Sequence, residues 1–286
     1  MNRIKSVMLL TLLSVILMAI GGIVGGQSGA MVMFFISLAI NFISYWNCDK
    51  IALRSYDAQP LSEKDVPELF ELVRELTRKA RMPMPRLYVI PTAVPNAFAT
   101  GRDENHAAVA VTEGLISMLD KDEIAGVISH ELSHIKHRDT LVMTLAASIA
   151  GAISWIANMA QWSAIFGGSR DEEGHSNVVA LMVTAIIAPI AAAVIQMALS
   201  RSREFMADAT GAEISGKPLA LASALAKLDD YAHRRVMANA APSSSGLFII
   251  NPLAGVRNFS ANLFSTHPST EERIKKLREI AARMKK

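Results

Sequence analysis

Residues 120–140 read DKDEIAGVISHELSHIKHRDT. Asp120 followed three residues later by Glu123 forms a capping box, so a helix opens here and runs through Ile124, Val127, Ile128, Leu132 and Ile135. Within it, His130-Glu131-Leu132-Ser133-His134 is the pattern H-E-x-x-H. Side chains four apart lie one turn apart on one helix face, so both imidazoles can grip a single metal ion. Glu131 sits about 100° around the helix from His130, beside such an ion and not on it. A carboxylate there can hold a metal-activated water and take its proton. The competing reading is a solvated helix whose histidines happen to be four apart, and a third ligand decides between the two.

Catalytic zinc takes three protein ligands and leaves one position open. A metzincin would place Gly at position 137 and His at 140, but this chain has His137 and Thr140. The remaining choice is a carboxylate from a second helix, and the stretch Ser202-Arg203-Glu204-Phe205-Met206-Ala207-Asp208 offers Glu204. His134 lies six residues before one long apolar segment and Glu204 four residues after the next. At 1.5 Å per residue these offsets are about 9 Å and 6 Å of helix, so a membrane hairpin would bring the two residues to one height. Asp208, one turn beyond Glu204, can accept the second ring N–H of a zinc-bound histidine. On local sequence alone, Glu204 and Asp208 also read as an exposed polar face balanced by Arg201 and Arg203. His137, flanked by Lys136 and Arg138, reads as a solvated helix end, and His106, His175 and His233 as surface or loop residues.

The composition points to a bilayer. The chain has 286 residues, 51% hydrophobic and 19% charged, and its mean hydropathy of +0.28 exceeds what one soluble core needs. Val7 to Val24, Ala30 to Trp46, Thr140 to about Ala160 (extended to Phe166) and Asn177 to Ser200 carry no charge. Each approaches or exceeds the roughly 20 residues that cross a hydrocarbon core. A cleaved signal peptide is the alternative for the first segment and a buried helical hairpin for the last two. Arg3, Lys5, Lys50, Arg54, Lys136, Arg138, Arg201 and Arg203 flank the spans on one side and only Arg170 on the other, which puts both termini and the polar stretches in the cytoplasm. Four sections result: an N-terminal transmembrane hairpin (1–48), a cytoplasmic part with the H-E-x-x-H helix (49–139), a second hairpin (140–200) and a cytoplasmic helical part (201–286). The net charge of +3, with basic residues spread along the chain and no interleaved aromatics, argues against a dedicated nucleic-acid surface. A single cysteine, Cys48, excludes an intrachain disulfide and a four-cysteine zinc site.

Between these landmarks the pattern predicts an amphipathic helix from Ser62 to Ala80, a strand at Arg86–Ile90, and a hairpin formed by Asn96–Gly101 and Ala107–Thr112. It also predicts helices from about Leu199 to Gly216, from Pro218 to near Met237, and from Pro268 onward. The expected fold is mainly α with a small β-sheet, a multi-pass membrane protein with four spanning helices and a zincin-like cytoplasmic metalloprotease domain.

Together with Asn96-Ala97-Phe98-Ala99 and Ser265-Thr266-His267-Pro268, these motifs make the chain resemble, over nearly its whole length, the HtpX family of bacterial heat-shock-associated membrane zinc proteases, related to the prenyl-protein protease. The resemblance implies an inner-membrane metalloendopeptidase with one Zn2+ per chain on His130, His134 and Glu204, and Glu131 as catalytic acid and base. It points to His267 as the oxyanion donor, with Arg273 anchoring that segment, although Thr266-His267-Pro268 reads equally well as a helix-capping loop. It also implies that Asn96, Ala97, Phe98 and Ala99 form an edge strand that pairs with extended substrate. Misfolded or damaged membrane proteins are the substrates it suggests, and the bilayer the surroundings. The alternatives are a scaffold with a structural zinc site, a metal transporter and a prenyl-peptide protease. Glu131 beside an open position argues against the first, the charge-free spans against the second, and the small number of spans against the third.

Overall fold

The structure, a computed structural model, describes residues 2–146, 201–234 and 268–284. Helix α1 (Asn2–Trp46) is not straight. The amide of Asn41 donates to the carbonyl oxygen of Leu10 at 3.2 Å and to Ser14 Oγ at 2.9 Å. A straight helix would hold residues 10 and 41 about 46 Å apart. The chain reverses at Gly26, whose φ of 60° is open to a residue without Cβ. The stretch thus forms the two arms expected from sequence, and Gly26–Trp46, 21 residues, is apolar and long enough to cross a membrane. The first arm contains a shorter apolar helix, Ser6–Ala19. Ile4, Val7, Val15, Phe35, Leu38 and Phe42 stand exposed along the arms, a surface that suits lipid and not water. Leu9, Leu13 and Leu17 pack instead on Val142, Leu145 and Ala146 of a helical stretch at 140–146. The remainder of the third apolar segment, the polar loop after it and all of the fourth lie outside the described residues.

Beyond α1 come α2 (Cys48–Ser55), β1 (Gln59–Pro60), α3 (Pro67–Ala80), β2 (Arg86–Ile90), β3 (Ala97–Thr100), β4 (Ala108–Thr112), α4 (Glu113–Met118) and α5 (Lys121–Lys136). Later in the chain follow α6 (Arg201–Ser215), α7 (Pro218–Arg234) and α8 (Thr270–Met284). The helix expected from Ser62 starts only at Pro67, where a missing N–H is tolerated in the first turn. The sheet runs β1-β2-β4-β3, with β2 and β4 parallel and β3 antiparallel to β4 in the register Ala97↔Val111, Ala99↔Val109. One sheet face (Leu87, Ala97, Ala99, Val109, Val111) joins Val73, Leu76, Ile128, Leu132, Leu221 and Leu277 in a single core spanning α3, α5, α7 and α8. The other face, with Phe98, Ala108 and Ala110, is covered by Ala52 and Leu53 of α2.

The catalytic helix begins as its sequence requires. Asp120 accepts from the N–H groups of Asp122 and Glu123, and Glu123 accepts from the Asp120 N–H at 3.0 Å. The buried Glu123 carboxylate also takes Ser223 Oγ and Lys227 Nζ, each at 2.7 Å, and so ties α5 to α7. Burial opposes its charge, but these donors hold its carboxyl below the ordinary range. The stabilisation is therefore present above the unfolded value of about 4.3 and lost as pH falls through the lower folded value. Glu123→Gln should cost about 1–3 kcal/mol at neutral pH, with the gap to the parent narrowing in acid, as read by thermal melts of the detergent-solubilised protein.

Candidate metal centre

Helices α5 and α6 cross so closely that a Cβ built on Gly211 would lie 2.9 Å from the backbone nitrogen of His130. Only a residue without a side chain lets α6 approach near enough for Glu204 to face α5. His130, His134 and Glu204 are all buried, and one ligand atom from each lies within 4.8 Å of the others. The two Nε2 atoms are 3.2 Å apart. Glu204 Oε2 is 3.7 Å from Nε2 of His130, and Oε1 is 3.7 Å from Nε2 of His134. A tetrahedral ion with bonds of about 2.0–2.1 Å holds its ligand atoms about 3.3–3.4 Å apart, so this triad has the span and the donor types that zinc takes.

Behind His130 the expected carboxylate is in place, with Asp208 Oδ1 2.9 Å from Nδ1. Arg273, almost fully buried, grips Asp208 through Nε at 2.8 Å and Nη2 at 2.7 Å. Its Nη1 also reaches Glu204 Oε2 at 3.6 Å. Burial opposes ionisation of Asp208, but the charge and hydrogen bonds of Arg273 bring its carboxyl down to about 2. Burial likewise disfavours a charged His134, yet its hydrogen bond to the Asp139 carboxylate and the charges on Glu204 and Glu131 raise the ring to about 9. A proton thus competes with a cation for this site, and metal binding must displace it.

Glu131 points toward the sheet. Its Oε2 accepts the backbone N–H of Ala99 at 2.8 Å. Asn96 faces Thr112 of β4: its carbonyl accepts the Thr112 N–H at 2.9 Å, and its N–H donates to the Thr112 side-chain Oγ1 at 2.8 Å. Odd-numbered residues of β3 therefore turn their backbone groups the other way, and among the described residues no strand pairs with that outer edge. Ala97 and Ala99 pack in the main core and Phe98 against Tyr56 on the opposite face. Burial, with Glu204 adding to it, raises the Glu131 carboxyl against the lowering effect of His130 and His134.

His267 lies outside the described residues. His137 ends α5 beside Ser133 Oγ and is not one of the convergent ligands. His106 and His233 pair with Asp103 and Asp229 at the surface, and His175 lies outside the described residues. Two site residues escaped the sequence reading: Asp139, 3.4 Å from His134 Nδ1, and Arg203 as its partner at 3.5 Å. Arg273 was legible as a neighbour of the site, though not as the counter-ion of Asp208.

Two imidazoles a helical turn apart, a carboxylate from a second helix and an acid held at a strand edge make a metallopeptidase centre. Residues 63–281 match the Peptidase family M48 pattern. Over 98% of its length the chain is 52% identical to a Protease HtpX homolog of Syntrophobacter fumaroxidans, covering 99% of that protein. It is 50% identical over 98% of its length to one of Pyrococcus furiosus, covering 96% of it. The crystal structure of S. mikatae Ste24p shares the fold, with a TM-score of 0.52 at 16% identity over 96% of this chain, which spans 65% of that longer one. The chain belongs to peptidase family M48 and, within it, to the HtpX proteases; it is a metalloprotease.

Removing Arg273 would strand Asp208 and Glu204 as buried charges. Arg273→Leu should destabilise the protein by about 3–5 kcal/mol, whereas Arg273→Lys should recover part of the loss, both read by thermal melts.

Proposed function

We propose that the protein is a membrane-embedded zinc metalloendopeptidase that holds one Zn2+ per chain on His130, His134 and Glu204 and hydrolyses peptide bonds in misfolded or damaged membrane proteins. The observation that carries this reading is the placement of Glu131 between the ligand triad and the outer edge of β3. When bound, zinc supplies Lewis acidity toward the attacking water and the scissile carbonyl. Glu131 takes the proton of that water and later returns it to the leaving amine. Its raised carboxyl suits a group that must hold a proton between the two transfers. His267 is the proposed donor to the oxyanion, and Asp208 keeps the ring of His130 in the orientation that presents Nε2 to the ion.

The backbone of Asn96–Ala99 is the proposed substrate edge. An extended peptide adding to β3 would meet the N–H of Ala99, the group that Glu131 occupies in this structure. Main-chain pairing of this kind gives weak side-chain preference, which fits unfolded substrates. The exposed apolar arms of α1 support insertion in a membrane, and the basic residues flanking the apolar segments support a cytoplasmic active site with both termini on that side. We place the enzyme in the inner membrane, with two transmembrane hairpins and the two cytoplasmic parts between and after them.

The test compares the parent with Glu131→Gln in cleavage of an unfolded protein by detergent-purified enzyme at equal bound zinc. Both should retain one zinc, and the variant should lose at least about 100-fold in kcat, in keeping with the loss of a general base. Equal cleavage by both would refute the role of Glu131, and no cleavage by either, with zinc bound, would refute the endopeptidase reading for such substrates.

A further inference from the structure

Helix α5 ends in a turn that folds back on its own last ligand. Arg138 has a φ of 58°, and the N–H groups of Arg138 and Asp139 donate to the carbonyls of Ile135 and His134, each at 2.9 Å. This Schellman arrangement returns Asp139 to the side of the His134 ring. Asp139 is 0% exposed, and its Oδ2 lies 3.4 Å from Nδ1 of His134. Its Oδ1 lies 3.5 Å from Nη1 of Arg203, the residue immediately before Glu204.

The same construction stands behind the other imidazole. His130 is backed by Asp208, which is gripped by Arg273. His134 is backed by Asp139, which is paired with Arg203. In each case a carboxylate meets Nδ1 and leaves Nε2 directed at the other ligands, and a guanidinium neutralises the carboxylate. Nothing in the proposed chemistry requires Asp139 to touch substrate, so its burial calls for another role. We propose that Asp139 is a positioning residue for His134, and that Arg203 clamps it so that the helix ends bearing His134 and Glu204 are locked together where the chain leaves for and returns from residues 140–200. The proposal rests on the metal-site reading above. The longer distances on the His134 side predict a smaller effect than on the His130 side.

The test uses the full chain in detergent, with zinc content, the rate of zinc transfer to a chromogenic chelator, and the visible spectrum of the cobalt-loaded protein as readouts. Measurements are made at a temperature where circular dichroism shows every variant folded. Asp139→Ala and Arg203→Met should lose zinc about 10–100-fold faster than the parent and shift the cobalt bands. Asp139→Asn, which keeps an acceptor for the ring N–H, should fall between, and adding Arg203→Met to it should have less effect than Arg203→Met alone. A folded Asp139→Ala with parental zinc loss and unshifted cobalt bands overturns the proposal. Should that variant not fold, the same outcome in Asp139→Asn overturns it. His134→Ala separates the two ideas, because parental zinc retention there refutes the metal site itself.

Discussion

Four carboxylates (Glu131, Asp139, Glu204 and Asp208) and two guanidinium groups (Arg203 and Arg273) lie buried around the contact of α5 with α6. With both imidazoles neutral, these described residues are two positive charges short of balance. Buried charge without compensation is costly, so the cluster calls for a cation or for protons. A divalent ion bound by His130, His134 and Glu204 would supply the missing charge. The fold around the site answers this single electrostatic demand.

Each element that answers it also packs for its own reasons. The α5 helix is buried along nearly its whole length, and its N-terminus is fixed by the capping box and the Glu123 ties to α7. The α6 helix reaches it through the space left at Gly211. The α8 helix, far away in sequence, contributes Leu277 to the core and Arg273 to the centre, so hydrophobic burial sets the position of a buried cation. The sheet contributes backbone, with the Ala99 N–H holding Glu131.

Local signals made much of this legible. The capping box, the H-E-x-x-H spacing, the β-hairpin at 96–112 and the Pro-initiated helices depend on neighbours in sequence, and the described elements follow them. Glu204 and Asp208 were reachable because the membrane hairpin expected from the two apolar segments would bring these distant positions to one height. Asp139 was not, because its role comes from a left-handed Arg138 that no glycine announces. The short α2 and the two-residue β1 owe their structure to tertiary contacts, α2 through Phe98 and Ala108 and β1 through pairing with β2. Eight residues and two are too few for a pattern to announce either element against its surroundings. The grip of Arg273 on Asp208 joins residues 65 positions apart, and only the assembled core shows it.

If substrate pairs with β3 as proposed, the outer edge of that strand would act as a ruler. Its outward backbone groups recur every second residue, so a peptide lying along it can advance only in steps of two while keeping the same ladder. The acid is fixed to one rung, Ala99. A polypeptide threaded past that rung would present alternate peptide bonds in equivalent orientation, and the fragments released from one unfolded stretch would carry ends offset by even numbers of residues. Such phasing would come from the strand's geometry and would persist whatever side chains the substrate bears.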